Sequence, residues 1–152
     1  MMHRDLGIRI DVIYKDVHLL EVRISASNGA FGGAADVYLE LDHLAQTAGR
    51  LEGFPRNSSD VREATFGSFG PESLPGRRVN LRFYCADKSG HAYVDSMIES
   101  DYNAVGKIQC VTLSLPIEAA AVDRFVEDIA QMGAKHAGTA FLKACEAFGN
   151  VI

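Results

Sequence analysis

Five histidines, three cysteines and a scatter of carboxylates are the residues with which this chain of 152 residues could do chemistry. The imidazoles are His3, His18, His43, His91 and His136. No two stand two or four residues apart and no H-E-x-x-H occurs, so no strand or helix would turn a pair of them towards one metal ion. Cys85, Cys110 and Cys145 are odd in number and far apart, with no C-x-x-C. That pattern argues against a zinc site or a disulfide framework, and for reduced thiols packed in the interior. Asp101-Tyr102-Asn103 has the opening of a calcium loop but lacks the glycine and closing glutamate at the required offsets, so it reads as a turn. Gly29-Ala30-Phe31-Gly32-Gly33 would need a helix N-terminus to cradle phosphate; a strand follows it, so it reads as a strand-joining turn. Gly67-Ser68-Phe69-Gly70 fails the G-x-S-x-G spacing. Cys85 with His91 as base is a conceivable nucleophile pair, but Cys85 falls on the apolar side of its strand, where a thiolate is disfavoured. Asp95 and Glu99 share an outward strand face with no apolar pocket to raise one of them. No catalytic residue, metal or cofactor is therefore expected.

The positive candidates are surface features. Arg78, Asn80, Arg82 and Tyr84 project from one strand face, with Arg23 expected on the same face. Arg and Tyr are enriched where binding energy concentrates. Between Asp87 and Asp128 stand eight acids against three bases, while the rest of the chain is balanced. An acidic surface of that kind would steer a basic partner. Asp95, Glu99, Asp101, Arg78, Arg82 and Tyr84 thus form the candidate partner-binding set. Phe31, Phe54, Phe66 and Phe69 lie in or beside Gly/Pro-rich loops, some to plug the core and one or two as exposed anchors.

The elements that must carry these residues follow from hydrophobic period. Ile8, Ile10, Val12 and Tyr14 alternate with polar neighbours, as do Leu20, Val22, Ile24 and Ala26, and the short link predicts a hairpin. A third strand places Val37 and Leu39 inward. Leu41, Leu44, Ala45, Ala48 and Leu51 fall on one helical face, with Asp42 at its start and Gly53-Phe54-Pro55 at its end. Residues 56–77 read as loop with one short strand near Val61 to Phe66. Val79, Leu81, Phe83 and Cys85 pair by a turn at Asp87-Lys88-Ser89-Gly90 with Ala92, Val94, Ser96 and Ile98. Lys107 to Leu115 is a further strand, ended by Pro116. Val122, Phe125, Val126 and Ile129 mark a second helix broken at Gly133, and Phe141, Ala144, Cys145 and Phe148 suggest a short third one. No internal repeat is visible. The expectation is one α+β domain over residues 1–152, with a mostly antiparallel sheet of six to seven strands and two or three helices on one face.

Bulk numbers narrow the function classes. Apolar residues make up 47% and charged residues 23%, the formal charge is −5, and no run of about 18 apolar residues occurs. The start, Met1-Met2-His3-Arg4-Asp5, lacks the apolar core of a secretion signal. A membrane span and a basic nucleic-acid face are not expected, and a cytoplasmic location is.

Six short runs carry a family resemblance. Ile24-Ser25-Ala26-Ser27-Asn28-Gly29-Ala30-Phe31-Gly32-Gly33 leads through a strand to Leu41-Asp42-His43-Leu44. Later come Leu81-Arg82-Phe83-Tyr84 with Gly90-His91-Ala92, then Leu113-Ser114-Leu115-Pro116 with Val122-Asp123-Arg124-Phe125. Over about residues 8–130 this succession resembles the WapI-type bacterial immunity proteins and their relatives. The resemblance implies an intracellular, non-catalytic protein that binds and blocks a toxin domain. It carries over no contact residues.

Two readings stand side by side. One is a non-catalytic binding protein of the immunity type, with a toxin domain as partner. The other is a small-ligand-binding domain or enzyme using a groove between sheet and helices, around Arg78, Arg82, Tyr84 and His91. A homodimer through a strand edge or the outer sheet face is a third, structural possibility.

Overall fold

A computed structural model describes residues 6–68, 76–101 and 106–145. Along them run β1 (Gly7–Lys15), β2 (Leu19–Ser27), β3 (Gly32–Glu40), α1 (His43–Leu51), β4 (Arg62–Phe66), β5 (Arg78–Cys85), β6 (Ala92–Glu99), β7 (Cys110–Ile117), α2 (Ala119–Lys135) and β8 (Thr139–Lys143). The class is α+β, as expected, but the sheet is not single. The strands form two antiparallel sheets of four, ordered β3-β2-β1-β8 and β4-β5-β6-β7. Alternation in sequence fixes which side of a strand is buried, and it is the same whether strands join one sheet or two.

The two inner faces and the helices share one core. Ile8, Ile10, Val22, Ile24, Val37 and Leu142 enter it from the first sheet, and Phe66, Val79, Leu81, Phe83, Val94 and Leu115 from the second. β3 lies against every strand of the second sheet, so the sheets face each other. The helices do not spread over one broad face. They pack on each other, α1 also on β4 and α2 also on β8. Leu44, Thr47, Ala48 and Leu51 are the buried stripe of α1, and Val122, Phe125, Ile129 and Met132 that of α2.

Three local expectations change. The segment expected as a third helix holds β8, which pairs with β1 from Gly7↔Lys143 to Asp11↔Thr139. Its buried residues Ala140, Leu142 and Ala144 have period two; Phe148 lies outside the described residues. Gly133 does not break α2, which runs to Lys135 and ends at His136 in the left-handed region, φ 53. An added Cβ at Gly133 would sit 2.8 Å from the Ala45 backbone nitrogen, so the glycine permits close approach of the helices. Pro116 lies inside β7, which continues to Ile117. β7 is an edge strand, and the Pro116 carbonyl accepts from Cys145 N–H at 2.8 Å on the side away from β6, so the missing proline donor interrupts no ladder.

A repeat absent from the sequence pattern is present in the topology. Each half reads strand, strand, strand, helix, strand, and the last strand of each half joins the other half's sheet. The row Leu142–Ile8–Ala26–Gly33 corresponds to Phe66–Val79–Ile98–Val111, and Ala140–Ile10–Ile24–Ala35 to Ala64–Leu81–Ser96–Leu113. Leu39, Leu44 and Leu51 match Ile117, Val122 and Ile129 at a constant separation. The equivalent residues Gly33 and Val111 touch, as do the equivalent helices. The halves share burial pattern but few residue identities, Ala140 with Ala64 and Val22 with Val94 among them.

Candidate functional site

β5 and β6 pair in the register Arg78↔Glu99, Arg82↔Asp95 and Tyr84↔Tyr93. With Val79, Leu81, Phe83 and Val94 in the core, period two places all six of these on the outer face of the second sheet. Five of the six candidate residues are therefore brought together. Asp101 lies beyond the end of β6, where its Oδ2 accepts from Arg77 Nε at 3.1 Å and Nη2 at 2.7 Å. Arg23 is not on this face: it belongs to β2 in the other sheet and pairs with Asp36 at 2.8 Å.

The β5–β6 face is a built array. The Arg82 guanidinium lies 4.9 Å from the centre of the Tyr84 ring. Tyr84 stacks on Tyr93, with centroids 6.0 Å apart and planes at 20°. Asp95 Oδ1 accepts from the Tyr84 hydroxyl at 3.0 Å and from Ser114 of β7 at 2.7 Å. Burial, then the bond to Asp95, pushes the Tyr84 phenol up, so it stays a donor at neutral pH. Two outward rows further, beyond Asn80 and Met97, Arg78 Nε donates to Glu99 Oε2 at 2.8 Å, and Gly76 N–H donates to Oε1 at 2.9 Å. On this face Asp95 and Glu99 are thus hydrogen-bonded to neighbours, Glu99 to a guanidinium, while Glu118, Asp123 and Glu127 of the same acidic stretch are exposed. Ser114 and Tyr93 were missed as members. Their outward alternation on adjacent strands is the signal that finds them once the register is known.

The nucleophile pair is not assembled. Cys85 is half-buried, with Sγ directed at Asn57 O at 3.9 Å, while His91 Nδ1 lies 2.7 Å from Asp87 Oδ2 in the hairpin turn. Burial and the charges of Asp60 and Asp87 push the Cys85 thiol up, away from thiolate. Cys145 is also half-buried, but Cys110 is exposed rather than interior. Burial raises both of these thiols as well. Two histidines act as struts: His43 donates to Thr65 O at 2.7 Å and His136 to Leu41 O at 3.0 Å. Among the described residues no three His, Cys, Asp or Glu side chains are placed to hold a metal ion, and no helix is long and apolar enough to cross a membrane. Phe54 and Phe66 plug the core, Phe31 is 67% exposed, and Phe69 lies outside the described residues. The chain matches no family model, no curated protein and no solved structure.

Proposed function

We propose that this is a non-catalytic, cytoplasmic binding protein that captures a protein partner on the outer face of the β5–β6 ladder. The observation that supports it is the Arg82–Tyr84–Tyr93 stack tied down through Asp95 and Ser114. Rigid aromatic and guanidinium groups lose little freedom on binding, which is why such residues dominate interface energetics. The immunity-type reading adds the partner's class, a toxin domain, and rests on the residue patterns that resemble the WapI-type family. The test is co-expression with the toxin domain encoded beside this gene. Growth should be rescued, and Arg82→Ala or Tyr84→Ala should weaken the purified complex by about 2 kcal/mol, roughly 30-fold. A gene with no toxin beside it, or variants that bind as tightly as the parent, would sink the proposal.

A further inference from the structure

We infer that the outer face of the first sheet holds a second, separate site, for a small flat molecule bearing one carboxylate. A concavity of about 410 Å³ opens there, within the size range of ligand pockets. Outward positions of β2 and β3 there carry small side chains: Ser25 is opposite Ala34, and Ser27 is opposite Gly32. Arg9 and Phe141 stand along one side of it.

The other half of the molecule shows that the fold does not require this hollow. The rows equivalent to Gly7–Ser27 and Ser25–Ala34 there are Arg78–Glu99 and Met97–Thr112. They are filled by bulk and by a guanidinium–carboxylate pair at 2.8 Å. In the first sheet the equivalents of Arg78 and Glu99 are Gly7 and Ser27, so neither side of that pair is present and the space stays open.

The lining selects the ligand. A floor of glycine, alanine and serine lets a ring lie against the sheet, with the Phe141 ring beside it. The Arg9 guanidinium sits 5.6 Å from the Phe141 centroid, donates to Thr139 at 3.5 Å and is drawn to Asp11 at 3.8 Å. Its planar fork suits a carboxylate, and one guanidinium matches a single negative charge better than a phosphate dianion. Ser25 and Ser27 line the same space. The Ser25 hydroxyl makes no hydrogen bond among the described residues. Ser27 is only 7% exposed, and its oxygen accepts from Gly29 N–H at 3.3 Å, which leaves its own proton to donate.

The test is an amide-resonance titration with sodium 1-naphthoate, run beside sodium acetate and 1-naphthalenemethanol. Naphthoate should give saturable shifts centred on Gly7, Ser25, Ser27 and Ala34, with acetate and the alcohol at least tenfold weaker. Arg9→Gln should weaken binding at least tenfold, and Ala34→Leu should abolish it. Arg23→Gln, one row away, should leave it unchanged. Both test positions point outward, and the same spectra report whether the fold is intact. Absence of saturable shifts, equal binding of the alcohol, or binding that survives Ala34→Leu would overturn the inference.

Discussion

Gly133→Ala should destabilise the protein and Gly49→Ala should stabilise it, although both glycines lie within helices. Alanine is the better helix former by about 0.5–1 kcal/mol, and at Gly49 nothing within 4 Å opposes the added methyl. At Gly133 the methyl would meet the Ala45 nitrogen at 2.8 Å, its Cα at 3.2 Å and its Cβ at 3.3 Å. Two of those three atoms are backbone of α1, so relief requires moving a helix and not a side-chain tip. Overpacking of that kind costs about 1–3 kcal/mol, which outweighs the propensity gain and leaves a net loss of about 1–2 kcal/mol. For a chain of this length each kcal/mol moves Tm by about 2–4 °C. Thermal unfolding followed by circular dichroism should place Gly133→Ala about 2–8 °C below the parent and Gly49→Ala slightly above it. A Gly133→Ala protein as stable as the parent would refute the reasoning that the helices are held at glycine distance.

Other expectations follow from single groups. Ser96 is fully buried and its hydroxyl has no partner among the described residues, so Ser96→Ala should raise stability by about 1 kcal/mol, read as a higher urea midpoint. Arg62 pairs with Asp60 and donates to the carbonyls of Arg50 in α1 and of Glu52 just past its end, each at 2.9 Å, so Arg62→Gln should lower stability by about 2 kcal/mol. Arg62 holds the Asp60 carboxyl below its usual range. Burial pushes Glu99 up, but the bonds from Arg78 and Gly76 outweigh it and leave that carboxyl low as well. Both groups therefore stabilise the fold fully above the ordinary carboxylate range and lose that contribution as pH falls through their depressed values. The urea midpoint should be level between about pH 6 and 5 and fall below about pH 4, less steeply in Arg62→Gln. A midpoint that rises on acidification would contradict the sign.

Strand faces were legible because alternation needs no tertiary information. Val79, Leu81 and Phe83 inward, with Arg78, Arg82 and Tyr84 outward, are readable from eight consecutive residues. The division into two sheets was not, since nothing local tells β4 that its partner is β5 or β1 that its second partner is β8. β8 was hidden for a related reason. Its five residues are too few to establish a period, and Phe141, its largest apolar side chain, faces outward beside Arg9. Gly133 was misread because glycine serves both as helix terminator and as a point of close contact, and only the position of Ala45 separates the two. The β5–β6 array was half visible: residue types and face could be read, while the stacking of Tyr84 on Tyr93 and the link from Asp95 to Ser114 depended on register across strands.

The exchange of final strands between halves also has a bearing on biosynthesis. β1 is the first of these elements to leave the ribosome, yet one of its two edges stays open until β8, the last of them, has been made. Pairing across so long a span slows folding. A nascent chain carrying only the first half exposes an unpaired strand edge throughout translation, and that edge is where a stalled or truncated product would aggregate.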